Sequence, residues 1–230
     1  MGLSAEGLLR YILTGLGTTV FITAISLVIA LVVGLLVGLA RLSRHRALTW
    51  PAVVFVEIFR GTSELVQLFW VFFALPILTG NQLTPIAAAC IVFGLNQGSY
   101  ISEIVRSAML AVPRAQREAV VALNMPGLKA FQRVILPQAI PRMLPPLGSQ
   151  AIDLLKATSI VSLITVADLT FRAQQIRTLT GQTLEAFGII FILYFILSSV
   201  LGFVVKRLEN RFAIGPRTPK RGRSKVQVTA

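Results

Sequence analysis

The chain alternates long apolar runs with short charged segments, and this pattern predicts several membrane-spanning helices. Thirty residues without a charge lie between Arg10 and Arg41, more than the roughly 20 apolar residues that a helix needs to cross the hydrocarbon core. A second uncharged run extends from Leu65 to Ser102. Its middle carries the turn-forming residues Pro76, Gly80, Asn81 and Pro85. We therefore predict one span in the first run and two spans, joined by a short loop, in the second.

The second half of the chain predicts two further spans, one interrupted by two charged residues and one without any charge. Residues 1–212 thus read as an all-α transmembrane domain of an integral membrane protein, with a loop at 112–137. The basic segment 213–230 lacks apolar periodicity, which predicts a disordered tail. The five predicted transmembrane helices cover about residues 12–40, 52–78, 84–105, 144–167 and 185–206.

Composition supports a membrane protein, because 55% of the residues are hydrophobic and only 13% are charged, which excludes an ordinary soluble domain. The first apolar run is too long for a signal peptide and no A-x-A site follows it, so we expect it to remain in the mature protein. The single cysteine, Cys90, lies in the apolar stretch 87–93. It cannot form an internal disulfide and is predicted to pack as a small apolar side chain.

The distribution of basic residues predicts the orientation, since Lys and Arg in short loops resist translocation. Seventeen of the 22 Lys and Arg residues lie in three regions: 41–50, 106–142 and the tail from Lys206. These regions are predicted to be cytoplasmic. The N-terminus is then outside and the C-terminus inside.

The formal net charge of +13 raises the possibility of nucleic-acid binding. The basic clusters, however, lie beside predicted membrane ends and are not interleaved with aromatic residues for base stacking. Membrane lipid with anionic headgroups is the predicted partner, and nucleic acid is not.

The chain has no H-E-x-x-H motif and His45 is its sole histidine, so neither a metal site nor an enzyme is predicted. It also lacks G-x-x-x-x-G-K-[ST], so no ATP site or other cofactor is expected in this chain.

The loop 112–137 is the longest polar stretch between predicted spans. Val112-Pro113 predicts a helix start, and Pro126-Gly127 predicts a break after Asn124, a residue type that tolerates the left-handed conformation. Leu136-Pro137 is predicted to end the second helix. One side of the first helix is predicted to be apolar and comprises Ala115, Ala119, Ala122 and Leu123. Periodicity alone would place this pair as an amphipathic hairpin on the lipid headgroups.

The run Glu118-Ala119-x-x-x-x-Asn124, with Ile135-Leu136-Pro137 downstream, resembles the signature loop of permease subunits in bacterial ATP-binding cassette (ABC) importers. That loop is usually E-A-A-x-x-x-G followed by I-L-P. Here Val120 replaces the second alanine and keeps a small apolar contact, and asparagine replaces the glycine and can adopt the same turn. The resemblance implies a coupling helix that sits in a groove of the ATPase subunit. It assigns that role to Glu118, Ala119, Ala122, Asn124 and Gly127.

The resemblance covers about residues 10–212 and extends to the polar amino acid permease family. Segments that carry it are 56–62, 65–69, 135–139 and 154–159. Three segments are similar to ectoine and hydroxyectoine permeases in particular: 60–70, 122–124 and 163–171. The resemblance implies the type I ABC importer permease fold and a multi-pass protein of the bacterial cytoplasmic (inner) membrane.

The implied function is that of a transmembrane permease subunit of an ATP-driven importer for a compatible solute of the ectoine or hydroxyectoine type. A permease for a polar amino acid such as histidine, glutamine or arginine is the main alternative, and a channel or membrane scaffold without ATPase coupling is a remote one. The implied partners are a second permease subunit, identical or homologous, two ATPase subunits that carry ATP and Mg, and an extracytoplasmic solute-binding protein.

Polar residues inside predicted spans are costly and mark either a pathway or a packing contact. Glu57, Arg60 and Glu64 are spaced to share one helical face, where Arg60 can pair with either carboxylate. Asp153 and Lys156 lie one turn apart and are predicted to neutralise one another, although a zwitterionic solute could compete for these charges. Structural pairing or hydrogen bonding and lining of a solute pathway both remain open. The candidate pathway or gate residues are Glu57, Arg60, Glu64, Gln67, Asn96, Tyr100, Glu103, Asp153 and Lys156.

A further polar group follows the fourth predicted span. The resemblance implies that this position contacts the solute-binding protein, and simple solvation accounts for the group almost as well. Its members are Asp168, Arg172, Gln174, Gln175 and Arg177.

Overall fold

A computed structural model describes residues 5–212, and this part of the chain is helical without a β-strand. The all-α prediction is confirmed, while the predicted tail at 213–230 lies outside the described residues. π-helical turns occupy Trp70–Ala74 and Phe131–Ile135, and a 3₁₀ segment occupies Thr158–Ile164. The helices are α1 Ala5–Leu13, α2 Leu16–Ala40, α3 Arg46–Gly61, α4 Glu64–Phe69, α5 Leu75–Thr79, α6 Pro85–Leu110, α7 Arg114–Ala122, α8 Gly127–Ala130, α9 Leu136–Ala157, α10 Leu169–Thr180 and α11 Thr183–Phe212.

Length and composition identify fewer spans than the five predicted. Within residues 5–212, three helical segments are long and apolar enough to cross a membrane: Glu6–Ala40, Gly127–Ile164 and Thr183–Arg211. A fourth results if α3 and the segment Glu64–Thr79, which meet at a bend of 103°, count as one span. Helix α6 is too polar to qualify by itself. It can lie within a membrane only if other helices cover its polar side chains.

Helix α6 packs along the whole length of α2 through glycines on both helices. Each helix carries two glycines four residues apart: Gly34 and Gly38 on α2, Gly94 and Gly98 on α6. A Cβ atom added at Gly34 would lie 2.4 Å from Ile101 Cγ2, and one at Gly94 would lie 2.4 Å from Ile29 Cγ2. Such small-x-x-x-small pairs let two backbones approach closely inside a membrane. The glycines therefore fix the α2–α6 distance.

The polar side chains of α6 face protein rather than its surroundings. Asn96 is only 2% exposed, and Ser99 and Ser102 are fully buried. The Ser99 hydroxyl donates to the Asn96 carbonyl oxygen at 2.6 Å, and the Ser102 hydroxyl donates to the Ser99 carbonyl oxygen at 2.6 Å. Because the hydroxyls of Ser99 and Ser102 have hydrogen-bond partners within α6, this helix can occupy the centre of the bundle despite its polar residues.

Helix α11 presents its apolar residues outward. Phe191 is 76% exposed and Phe195 is 68% exposed, while Ala186 and Ile190 pack against α1 and α10. An outward apolar face of this size is unfavourable in water and favourable in lipid. The exposed face of α11 therefore supports a membrane location.

Two Leu-Pro pairs follow the π-helical turns, and neither ends its helix. The Leu136 N–H donates to the Phe131 carbonyl oxygen five residues earlier, and the Leu75 N–H donates likewise to Trp70. A proline has no N–H and its ring crowds the carbonyl four residues before it, which a wider π turn accommodates. The prediction that Leu136-Pro137 ends the second helix of the 112–137 loop is therefore wrong. Instead, α8 continues into α9.

Candidate functional site

The 112–137 loop consists of a short helix, a tight turn and the beginning of a long helix. Helix α7 begins directly after Pro113, and α8 begins at Gly127. Asn124 has a φ angle of 48°, in the left-handed region. The predicted helix start, the predicted break and the predicted conformation of Asn124 are confirmed.

The turn after α7 is closed by two backbone hydrogen bonds. The Met125 N–H donates to the Val120 carbonyl oxygen at 3.1 Å, and the Asn124 N–H donates to the Val121 carbonyl oxygen at 2.9 Å. This pairing is a Schellman motif, which requires a left-handed residue directly after the helix cap, Leu123. Asn124 occupies that position, so it performs the backbone function that glycine has in the E-A-A-x-x-x-G loop.

The apolar side of α7 does not pack against the other described residues of 5–212. Val120 is only 9% exposed and anchors α7 inward, so its small apolar contact is made with this chain itself. The four residues of the predicted apolar side are all exposed, as are Val121 and Leu128. We call the following exposed group the coupling surface: Glu118, Ala119, Val121, Ala122, Leu123, Asn124, Gly127 and Leu128.

The coupling surface is held rigidly to two long helices. The Arg117 guanidinium donates to the Met109 carbonyl oxygen at 2.7 Å, which adds a side-chain donor to a carbonyl near the end of α6. On the other side, α8 runs through the π turn into α9. A force applied to the coupling surface is therefore transmitted to α6 and α9, the two helices that carry most of the polar candidate residues.

Replacing Asn124 tests the geometry of the turn. The resemblance to ABC importer permeases implies coupling to an ATPase subunit, so we expect Asn124→Val to reduce solute-stimulated ATP hydrolysis by the complex about tenfold, because a β-branched residue in the left-handed region costs ~1–2 kcal/mol. Asn124→Gly should retain full stimulation. Asn81→Val, in the loop before α6 and outside the left-handed region, is the matched control. Normal stimulation in Asn124→Val would show that the turn is not needed for coupling.

The predicted second span is broken where α3 meets α4. Thr62 and Ser63 are extended, and the helices on either side form an angle of 103°. Glu64 consequently lies in a different helix from Glu57 and Arg60, and the three residues do not share one helical face. The prediction of a common face is wrong because it assumed a continuous helix through residues 52–78.

Two amide side chains satisfy the backbone at this break. The Gln67 Nε2 donates to the Phe59 carbonyl oxygen at 3.0 Å and to the Thr62 hydroxyl at 2.6 Å. The Asn96 Nδ2 donates to the Phe59 carbonyl oxygen at 2.9 Å and to Gln67 Oε1 at 3.1 Å. Carbonyls released by a helix break must find partners inside a membrane. Gln67 and Asn96 therefore stabilise the break.

A cleft of about 570 Å³ opens beside the break, between α4, α6 and α9. The Gln97 Nε2 donates to Glu64 Oε1 at 2.6 Å, and the Gln150 amide donates in turn to Gln97 Oε1. These two hydrogen bonds orient the Glu64 carboxylate. We call the cavity the acidic cleft, and its polar lining residues are Thr62, Ser63, Glu64, Asn96, Gln97, Tyr100, Gln150 and Asp153.

A second cleft of about 370 Å³ adjoins the first, and we call it the arginine cleft; its lining includes Arg60, Tyr100, Glu103, Ser107, Ser149 and Gln150. The Arg60 guanidinium lies 5.1 Å from the centre of the Tyr100 ring, within the range of a cation–π contact. Within residues 5–212 it pairs with neither Glu57 nor Glu64, so the predicted ion pair is wrong. The carboxylate of Glu103 instead binds Arg41 at 2.5 Å and Arg106.

Asp153 and Lys156 do not neutralise each other. Asp153 lines the acidic cleft, whereas Lys156 lines an apolar cleft of about 730 Å³ between α9, α10 and α11. Neither residue forms an ion pair in the described part of the chain. Residues three apart on a helix can pair, but here both side chains are exposed and line different clefts. The prediction of mutual neutralisation is therefore wrong.

The polar group after the fourth predicted span divides into buried and exposed members. Asp168 is fully buried and accepts from the Phe171 N–H at 2.8 Å, and this burial raises the pKa of its carboxyl to about 6. Arg172 donates to the Tyr11 hydroxyl at 3.1 Å, which ties α10 to α1. Of the five residues, only Arg177 is classed as exposed. Asp168 therefore caps α10 and offers no docking surface, and the role of Tyr11 was not predicted.

Comparison with known proteins identifies the family. The sequence profile of the family described as binding-protein-dependent transport system inner membrane component matches residues 30–214. The chain belongs to this family. This permease is 41% identical over 201 residues to the probable amino-acid ABC transporter permease protein y4tF of Sinorhizobium fredii (strain NBRC 101917 / NGR234), which covers 85% of this chain and 84% of the relative.

Two further comparisons support the same family assignment. This permease is 40% identical over 164 residues to the glutamine transport system permease protein GlnP of Escherichia coli (strain K12), over 71% of this chain and 75% of the relative. Its fold matches the crystal structure of an amino acid ABC transporter with histidines at a TM-score of 0.84 and 30% identity, covering 92% of this chain and 100% of that chain. The type I importer permease fold and the inner-membrane location are thereby confirmed.

Proposed function

We propose that this chain is the transmembrane subunit of an ABC importer that moves a polar amino acid inward across the cytoplasmic membrane. The coupling surface carries this proposal. It projects apolar side chains such as Leu123, 72% exposed, from a rigidly held turn, which is unfavourable unless a partner covers them. A channel or membrane scaffold without ATPase coupling would need no such surface.

The proposed assembly contains a second permease subunit, two ATPase subunits that hold ATP and Mg, and an extracytoplasmic solute-binding protein. In this assembly Glu118 pairs with a basic group of the ATPase, and the small residues Ala119 and Ala122 allow close backbone approach. ATP binding draws the two coupling surfaces together and opens the spans outward. Hydrolysis then reverses the movement and delivers the solute inward.

A polar amino acid is favoured over an ectoine as the solute. The relatives y4tF and GlnP are named for amino-acid and glutamine transport. One of the three segments similar to ectoine permeases is 60–70, and in the structure this segment contains the helix break that Gln67 stabilises. Its residues thus have a structural role that does not depend on an ectoine.

The proposed topology has five spans, with α6 counted as the third because protein covers its polar residues. The basic residues in 41–50 and 106–142 are then cytoplasmic, which places the coupling surface on the side of the ATPase subunits. The N-terminus is outside and the C-terminus inside in this arrangement.

The test is ATP hydrolysis by the full complex in proteoliposomes, with its binding protein loaded in turn with glutamine, arginine, histidine, cystine, ectoine or hydroxyectoine. We expect stimulation by one or more amino acids. Stimulation by ectoines alone would overturn the proposed solute class. A permease that purifies without any ATPase subunit would contradict the importer assignment itself.

A further inference from the structure

The chain turns from α2 into α3 at residues 41–50, and we call this segment the α2–α3 corner. Arg44 and Arg46 are both exposed there, and neither forms an ion pair in the described part of the chain. The sequence contains no Asp or Glu over residues 7–56, so no neighbour along the chain can neutralise them. The α2–α3 corner therefore carries uncompensated positive charge.

Two large apolar side chains project from the same corner. Trp50 is 71% exposed and Leu48 is 55% exposed. Trp50 lies four residues after Arg46, so the two side chains share one face of α3. A tryptophan ring beside cationic groups is typical of the interface between water and lipid, where its amphipathic ring sits at the level of the headgroups. One partner can thus contact both the ring and the positive charge.

The α2–α3 corner is anchored to the rest of the protein. Arg41 does not share the free charge, because its guanidinium pairs with the Glu103 carboxylate on α6 at 2.5 Å. The Thr49 hydroxyl donates to the Ser43 carbonyl oxygen at 3.0 Å, and the His45 N–H donates to the Ser43 hydroxyl at 3.2 Å. These contacts tie the first turn of α3 to the preceding loop and to α6. The exposed side chains therefore extend from a defined surface.

The position of this corner relative to the bilayer follows from α2. The segment Glu6–Ala40 is long and apolar enough to cross a membrane. Its exposed residues Val28, Val32 and Leu36 form a stripe along one face, because they are four residues apart. Lipids that cover this stripe have their headgroups where the span ends, which is where the corner begins. An exposed arginine at that level meets phosphate oxygens.

We propose that Arg44, Arg46, Leu48 and Trp50 form a binding site for the headgroup of an anionic phospholipid. The planar guanidinium groups bind phosphate oxygens, while Leu48 and Trp50 pack against the glycerol and the upper acyl chain of the same lipid. A zwitterionic phospholipid binds less well, because its own cation is repelled by the arginines. None of the four residues lines the acidic cleft or the arginine cleft, so the site is separate from both.

The chain has two tryptophans, Trp50 and Trp70, which permits a direct test. Full-length permease with Trp70→Phe would be placed in nanodiscs containing a small fraction of lipid with brominated acyl chains, which quench tryptophan fluorescence on contact. We expect brominated phosphatidylglycerol to quench Trp50 about fivefold more strongly than brominated phosphatidylcholine, since one basic residue near an anionic lipid contributes about that factor. Trp50→Phe, which retains Trp70, 52% exposed, should be quenched equally by both lipids.

Two pairs of substitutions separate a specific site from attraction by net charge. Arg44→Gln combined with Arg46→Gln should remove the preference for phosphatidylglycerol at Trp50. Lys129→Gln combined with Arg133→Gln removes the same charge from exposed residues of the 112–137 loop and should leave the preference unchanged. Thermal unfolding of each variant in nanodiscs would verify that it is folded.

Equal quenching of Trp50 by both lipids, or quenching by neither, would overturn the proposal. Loss of the preference in both double variants would overturn it too, because net charge would then account for the attraction. If inorganic phosphate abolished the preference while chloride at equal ionic strength did not, the arginines would bind free phosphate rather than lipid. The measurement requires neither solute nor ATPase, so its failure would leave the proposed function untouched.

Discussion

Gly34→Leu is expected to prevent assembly of the permease. A Cβ atom at this position would lie 2.4 Å from Ile101 Cγ2 and 2.6 Å from Ile101 Cβ, so α2 and α6 must separate to admit any side chain. Overpacking of this kind costs ~1–3 kcal/mol in soluble cores, and here it also exposes the buried polar residues of α6. We expect at least a tenfold loss of full-length protein in the membrane, measured by immunoblot after membrane isolation.

Gly17→Leu is the matched control for this variant. Gly17 lies on the same helix, but nothing lies within 4 Å of a Cβ atom added there. This variant should accumulate like the unaltered protein. If Gly34→Leu accumulated equally well and transported solute, the close α2–α6 approach would have no role in holding the bundle together.

Leu123→Asp is expected to release the ATPase subunits without harming membrane insertion. Leu123 is 72% exposed, so the substitution has little effect on the isolated permease. Burying a leucine at an interface contributes ~1.5–3 kcal/mol, and burying an unpaired carboxylate instead adds a further penalty. We expect at least a hundredfold weaker association, measured by co-purification of the ATPase with the tagged permease. Glu118→Lys should release the ATPase as well, through the loss of its ion pair.

Leu179→Asp serves as the comparison for this prediction. Leu179 is 81% exposed and lies at the end of α10, far along the chain from the coupling surface. Its substitution introduces the same charge on a comparably exposed leucine. Loss of the ATPase in both variants would indicate a general defect of the permease, whereas retention in both would show that Leu123 makes no docking contact.

Features that depend on a few neighbouring residues were predictable from the sequence. Asn124 was expected in the left-handed conformation because asparagine tolerates it and Pro126 prevents the helix from continuing. The start of α7 after Pro113 has the same local origin. The glycine pairs Gly34/Gly38 on α2 and Gly94/Gly98 on α6 carried a signal in the sequence too, since the two members of each pair are four residues apart.

Features that depend on distant partners were not predictable. The end of α3 at Gly61 depends in part on a distant residue, because the Phe59 carbonyl freed there accepts from Asn96 on another helix as well as from Gln67. Asp153 and Lys156 were expected to pair from their spacing alone, yet the packing of α9 turns them toward different clefts. The direction of a side chain in a bundle is set by neighbouring helices, and a single sequence does not give their positions.

The polarity of α6 bears on how the chain enters the bilayer during synthesis. Asn96, Gln97 and the serines of this helix would face lipid if it inserted alone, and each polar group without a partner there is costly. Helix α2 is synthesised first and is apolar enough to insert independently. It can therefore be in the membrane before α6 is made, with Gly34 and Gly38 available for α6 to pack against. Helix α2 thus precedes α6 in the sequence, and it is also the helix that must be in the membrane before α6 can be stabilised there.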